Sequence, residues 1–185
     1  EYAFSFFVSQ ADSVSAATFI RVTKSNKQVD IYRFTVNNWM YVCDWEIING
    51  KLYCCYIKAY ETTTKTIELL EFDYLNNTVT SLGTYTQTTA STSTSGIYPF
   101  ITYYNDIICF GDARSNADSK VQITVKKYAS GAITNVHTSS AITAIISSNC
   151  VAKTRDGAYL LTSYQSSLGD SSTSTYGHFV YSFET

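Results

Sequence analysis

Tight turns between short apolar runs recur along this chain and constrain its fold more than any other feature. The first is Asn49-Gly50, the strongest short signal for a β-hairpin, because a type I′ turn requires positive φ at both central residues. Asn105-Asp106 and Asp156-Gly157 stand at similar places between apolar runs. These turns begin at residues 49, 105 and 156 and thus lie 56 and 51 positions apart, a spacing typical of repeat architectures.

Each of these turns is followed by the same succession of an apolar strand, a polar loop and a further strand. The strands after the turns are KLYCCYI, IICF and AYLL, and those after the loops are TIELLEF, VQITVKKY and YGHFVYSF. The N-terminal segment fits the frame without its first strand, as FSFFV, TFIRVT and VDIYRFTV. Asn76-Asn77 predicts a further hairpin of the same kind. We predict one all-β domain, 1–185, with units at about 1–38, 39–86, 96–138 and 143–185.

The polarity of the strands changes within each unit. The first two strands are almost continuously apolar, as expected when both faces of a sheet are covered, whereas the third alternates and the fourth is short and Thr-rich. Four-stranded antiparallel repeats of about 50 residues with this gradient resemble kelch-like β-propeller blades. The kelch Gly-Gly pair is absent, with Cys54-Cys55 and Phe110-Gly111 nearby, so no functional residue is transferred. A β-sandwich and a β-solenoid are the alternative architectures.

Composition limits the partners that the chain is expected to have. The 13 basic and 15 acidic side chains give a formal net charge of −2 without a basic stripe, which argues against nucleic-acid binding. No apolar run approaches the roughly 18 residues that a membrane-spanning helix needs. The chain opens on Glu1 without an initiator Met or a signal peptide, so we expect a removed leader or a fragment of a longer protein. No cofactor is predicted.

Five cysteines leave two interpretations open. Around the Asn49-Gly50 turn, hairpin register places Cys43 opposite Tyr56, so Cys54 shares a face with Cys43 on the diagonal. A Cys43–Cys54 disulfide requires Cα atoms within about 7 Å. The favoured interpretation is that the cysteines are small buried hydrophobic residues, because five is an odd number and the adjacent Cys54 and Cys55 cannot serve one bridge together. With only two histidines in the chain, a zinc site is not expected.

Loop carboxylates and tyrosines at strand ends are the candidate ligand-binding residues. Asp112, Asp118 and Asp170 fall in predicted loops that could converge on one rim, and a glycosidase would need two carboxylates about 5–10 Å apart. Tyr60 and Tyr164 lie where apolar strands end, so exposed rings there could stack on a sugar or a protein partner. The competing interpretations are solvated loop charges and ordinary core aromatics.

Two segments carry candidate modification sites. Asn76-Asn77-Thr78 matches the acceptor pattern for N-glycosylation on a turn that should be exposed. The low-complexity run TYTQTTASTSTSGIY favours a solvated surface loop, with O-glycosylation as the alternative. The N-glycosylation pattern matters only if the protein is secreted by a eukaryote.

These observations favour a non-enzymatic extracellular or cell-surface module with a structural or adhesive role. A subunit of a filament or surface assembly is one form that this role could take. The alternatives are a carbohydrate-binding or glycoside-processing β-propeller and a phage or viral fibre domain. The N-terminal strand, with Phe4, Phe6 and Val8, carries neither Pro nor charge and is expected to pair with β-structure of a neighbouring chain. A head-to-tail contact of that kind that does not close would produce a filament.

Overall fold

The chain folds into β-strands and turns. The computed structural model describes residues 1–11, 14–36, 43–61, 63–89, 97–118, 120–143, 145–154, 157–167 and 174–183. Within these ranges there is no helix, which confirms the predicted all-β class. The strands are β1 (Tyr2–Ala11), β2 (Val14–Thr23), β3 (Val29–Val36), β4 (Cys43–Ile48), β5 (Lys51–Glu61), β6 (Thr64–Asp73), β7 (Thr78–Thr88), β8 (Ile97–Tyr104), β9 (Ile107–Ser115), β10 (Val121–Ala129), β11 (Ala132–Thr138), β12 (Ile145–Lys153), β13 (Tyr159–Ser167) and β14 (Ser174–Ser182).

The strands form four antiparallel sheets in which neighbours in sequence are neighbours in space. The first sheet is β1-β2-β3, the second β4-β5-β6-β7, the third β8-β9-β10-β11 and the fourth β12-β13-β14. Short hairpin loops suffice for such meanders, because antiparallel partners need no crossover. The described part of the chain contains no helix that is long and apolar enough to cross a membrane.

Two of the predicted turns are confirmed by their backbone angles. Asn49 and Gly50 have φ of 49° and 78°, and Asn105 and Asp106 have φ of 48° and 60°. Positive φ at both central residues is the type I′ requirement that predicted these hairpins. A further turn of this kind, Ser130-Gly131 with φ of 51° and 77°, joins β10 to β11.

The Asn76-Asn77 turn differs from the prediction. Asp73 pairs with Thr78, so four residues form the loop, and within the Asn pair only Asn77 has positive φ, at 53°. The Asp73 carboxylate accepts hydrogen bonds from the backbone N of Asn76 at 3.1 Å and from its Nδ2 at 2.9 Å. This side-chain capping stabilises the longer loop. In the Asp156-Gly157 turn, Asp156 lies outside the described residues, and Gly157 has φ of 76°.

The hairpin register between β4 and β5 agrees with the sequence. Ile48 pairs with Lys51 and Cys43 pairs with Tyr56. Cys43 and Cys54 are in side-chain contact, but both are free thiols, so the disulfide considered from the sequence is not formed. Burial raises the pKa of Cys54, which keeps that thiol neutral.

Consecutive sheets pack face to face and enclose three apolar clusters. The cluster between the first and second sheets includes Phe19, Phe34, Cys54 and Phe72. The cluster between the second and third sheets includes Cys55, Ile67, Ile101 and Phe110. The cluster between the third and fourth sheets includes Phe100, Val125 and Leu160. The adjacent residues Cys54 and Cys55 therefore face opposite clusters, and this double coverage explains why β5 is almost continuously apolar.

Candidate functional site

The first strands of the second, third and fourth sheets meet at one cavity. β8 contacts both β4 and β12. Glu46, Thr102 and Lys153 each lie three positions before the first residue of a tight turn, at 49, 105 and 156, so they are equivalent in the repeat. All three line a cavity of about 500 Å³, which we call the junction cavity. The repeat thus places an anion, a hydroxyl and a cation around one space.

Lys153 links the three sheets at the junction cavity. Its Nζ donates a hydrogen bond of 2.7 Å to the carbonyl oxygen of Ile101 and lies 2.7 Å from Glu46 Oε2 and 3.4 Å from Asp44 Oδ2. Asp44 Oδ2 also accepts a hydrogen bond of 2.9 Å from the backbone N of Ile101. One ammonium group faces two carboxylates, so these three side chains carry a net charge of −1. Their mutual pairing supports a role in joining sheets.

Gly157 allows the close approach of the turn after β12 to β8. An added Cβ at this position would lie 2.3 Å from the carbonyl oxygen of Tyr103 and 2.9 Å from Thr102 Oγ1. The φ of 76° also disfavours any residue with a side chain. A larger residue would therefore push this wall of the junction cavity away from β8.

Asp112 does not occupy the loop position predicted for it. It lies on β9, which runs on to Ser115, and its side chain is fully buried. Its carboxylate is 2.8 Å from Arg114 Nη1 and accepts hydrogen bonds from Tyr85 Oη at 2.8 Å and Gln87 Nε2 at 3.2 Å. Because these donors satisfy the charge, a residue that looks like a loop acid is stable inside a strand.

Arg114 extends this buried network within the third sheet. Its Nη1 also donates to Thr124 Oγ1 at 2.8 Å, and its Nη2 donates to Gln122 Oε1 at 2.8 Å. Its Nε is buried without a hydrogen-bond partner in the described part of the chain. Burial, together with the charge of Asp112, raises the pKa of Tyr85, so the phenol stays protonated as the donor. The network connects β7 of the second sheet to the third sheet.

Glu68 is a buried carboxylate that the sequence did not single out. It lies on β6 and forms an ion pair of 2.8 Å with Lys58. It also accepts hydrogen bonds from Ser81 Oγ at 2.6 Å and from the hydroxyl of Tyr56. Burial opposes its ionisation, but these donors outweigh burial and lower the pKa of Glu68. A charged residue inside the apolar run TIELLEF was the available signal for this site.

Of the remaining predicted ligand residues, only Asp118 has a side chain within the described part of the structure. Asp118 is exposed beyond β9, where its backbone N donates to Asn116 Oδ1 at 3.0 Å, so its environment is opposite to that of Asp112. The backbone of Tyr60 lies on β5 and that of Tyr164 on β13, but both side chains lie outside the described part of the structure. Asp170 lies outside the described residues altogether.

The candidate modification site and the N-terminal strand have clear positions. Asn76 is exposed in the loop between β6 and β7. Phe4 stacks on Phe19 with ring centroids 5.5 Å apart. Phe6 lies 5.9 Å from Phe72 across the first cluster. The side chain of Val8 lies outside the described part. Phe6 therefore reaches from the first sheet to the second, whereas Phe4 packs within the first sheet. Among the described strands, none pairs with the edge of β1 that faces away from β2.

Neither a metal-binding group nor comparison with known proteins assigns a function to the described residues. Among the side chains that the structure describes, no group of three or more His, Cys, Asp or Glu is arranged to hold a metal ion. Comparison with models of known protein families and with curated protein sequences gave no match. The geometry of the described residues is therefore the basis for a functional proposal.

Proposed function

We propose that this chain is a non-enzymatic structural or adhesive module of an extracellular or surface assembly. The observation that carries the proposal is the burial of Asp112, which is fully enclosed by Arg114, Tyr85 and Gln87. A general acid or base must reach the proton it transfers. A carboxylate enclosed by three donors instead holds two sheets together.

The packing of the sheets supports a propeller-like arrangement for this module. Each sheet is a meander, and consecutive sheets cover each other in chain order through three apolar clusters. The first strands of three sheets meet at the junction cavity, as inner blade strands meet near the axis of a propeller. Such a stack provides a rigid scaffold for exposed loops.

The edge of β1 supports self-association as the mode of assembly. β1 pairs with β2 along its whole length, and among the described strands none pairs with its other edge. An open strand edge is a template for strand addition. We propose that a neighbouring copy pairs there, which would extend the assembly head to tail.

Two measurements test this proposal. A panel of chromogenic glycosides should show no turnover, and hydrolysis that disappears in Asp118→Asn would contradict the non-enzymatic role. Sedimentation velocity across a dilution series should show a mass that rises with concentration. Phe7→Lys, which adds charge to the exposed face of β1, should reduce this association. Ile31→Lys on β3 is the matched control, because Ile31 is also exposed and lies at the other edge of the sheet.

A further inference from the structure

A second cavity, of about 450 Å³, opens between the third and fourth sheets. We call it the aromatic cleft and define it by Ile107, Cys109, Lys127, Tyr181 and Phe183. The first three belong to the third sheet, and Tyr181 belongs to β14 of the fourth. Its volume lies within the range of about 300–1,000 Å³ that is typical of small-molecule sites.

Two aromatic side chains line part of the cleft and pack against the apolar cluster beneath them. Tyr181 and Phe183 form an edge-to-face pair with ring centroids 4.9 Å apart. Both rings pack against the apolar cluster between the third and fourth sheets and remain half-exposed. The ring of His137 on β11 lies beside that of Tyr181, with ring centroids 5.0 Å apart. Fixed aromatic faces of this kind accept the C–H face of a saturated ring without further ordering of the wall.

Lys127 supplies a positive charge to the lining of the cleft. Lys127 on β10 is directly paired with Cys109 on β9, so their side chains project from the same face of the sheet. Burial raises the pKa of Cys109 to about 11, so this thiol is neutral at pH 7. Lys127 is exposed, forms no ion pair with the described residues, and is accompanied by no carboxylate in the described lining of the cleft.

We propose that the aromatic cleft binds an acidic sugar of the uronic acid class. The apolar face of the sugar ring lies against Tyr181 and Phe183, and its carboxylate pairs with Lys127. Asn105 and Asn135 also line the cleft, and their amide groups can hydrogen-bond ring hydroxyls. The junction cavity is unsuited to this ligand because its lysine, Lys153, is already paired with Asp44 and Glu46. The inference rests on the proposed adhesive role and specifies its ligand.

Calorimetric titration with three probes tests whether the cleft binds the sugar, its carboxylate and its hydroxyl groups. D-Glucuronate should bind with a dissociation constant of about 1 mM, as expected for a small ligand in an open site. D-Glucose, which lacks the carboxylate, should bind about tenfold more weakly, because one charge-assisted hydrogen bond is lost. Benzoate, which lacks the hydroxyl groups, should also bind more weakly. Equal binding of all three, or no binding of glucuronate, would overturn the proposal.

Variants locate the site. Lys127→Gln should abolish the preference for glucuronate over glucose. Lys120→Gln is the control: it also removes one positive charge, but Lys120 directly precedes the first residue of β10, so the preference should remain. Phe183→Ala should weaken both sugars by a similar factor, with an unchanged circular dichroism spectrum as evidence of folding. An unaltered preference in Lys127→Gln would refute the assigned site. Hydrolysis of a glucuronide would instead refute the non-enzymatic role, so the two failures are distinguishable.

Discussion

Tyr85 on β7 donates a hydrogen bond of 2.8 Å to Asp112 on β9, across the boundary between the second and third sheets. The same carboxylate is paired with Arg114 at 2.8 Å, so a buried charge lies at a contact between two separate meanders. A buried ion pair adds little stability compared with apolar packing, but removal of one partner is costly. The hydrogen bond between the two sheets therefore depends on Asp112, whose buried charge is balanced by Arg114 on the same strand.

The first prediction concerns this buried pair. Asp112→Asn should lower the free energy of unfolding by about 3–5 kcal/mol, because the Arg114 guanidinium would stay buried without its counter-charge. Urea denaturation followed by circular dichroism measures the change. Asp118→Asn is the matched control and should change stability by less than about 0.5 kcal/mol, because Asp118 is exposed. Similar midpoints for both variants would contradict the structural role of Asp112.

The second prediction concerns the contact between Gly157 and β8. Gly157→Ala should destabilise the fold by about 1–3 kcal/mol more than Gly131→Ala. Both glycines have positive φ, at 76° and 77°, so the backbone strain is matched. A Cβ at Gly131 meets nothing within 4 Å, whereas one at Gly157 lies 2.3 Å from the Tyr103 carbonyl oxygen. Thermal denaturation of the two variants gives the difference, and equal losses would exclude the steric contact.

The third prediction concerns stability in acid. The pKa of Glu68 is lower in the folded state than its ordinary value, because Lys58, Ser81 and Tyr56 stabilise the carboxylate more than burial opposes it. This stabilisation is present above the unfolded-state pKa of about 4.3 and is lost as the pH falls through the folded-state pKa. Urea midpoints from pH 7 to pH 3 should therefore fall more steeply for the parent chain than for Glu68→Gln. Parallel curves would show that Glu68 does not contribute to this dependence.

The fourth prediction concerns the ion cluster at the junction cavity. Lys153→Met should destabilise the protein by about 1–2 kcal/mol, because Asp44 and Glu46 would face each other without a cation. The loss should shrink in 1 M salt, since these side chains are partly exposed to solvent. Lys24→Met, which breaks the exposed pair with Glu1, is the control and should have little effect. If salt changed the stability loss of both variants equally, Lys153 would not contribute more through its two carboxylate partners than an exposed ion pair does.

The turns and the register of the hairpins could be predicted from the sequence because both depend on neighbouring residues. Asn49-Gly50 favours positive φ through local sterics, and the resulting two-residue turn fixes the register that places Cys43 opposite Tyr56. The turn at Asn76 was predicted incorrectly because the Asp73 carboxylate caps a four-residue loop, which the Asn pair alone does not specify. The same alternation of side chains along a strand explains the double-sided burial of β5.

The partners of the charged side chains between sheets were decided by the tertiary structure alone. Lys153 meets Asp44 although 109 positions separate them, and Asp112 meets Tyr85 across 27 positions. Composition and spacing placed Asp112 in a loop, since an acid without known partners is normally solvated. The packing of whole sheets brings hydrogen-bond donors to the carboxylate, and these bonds offset the desolvation cost of burying it. Local geometry thus determined the strands and turns, whereas the sites where sheets meet depend on contacts that no short stretch of sequence contains.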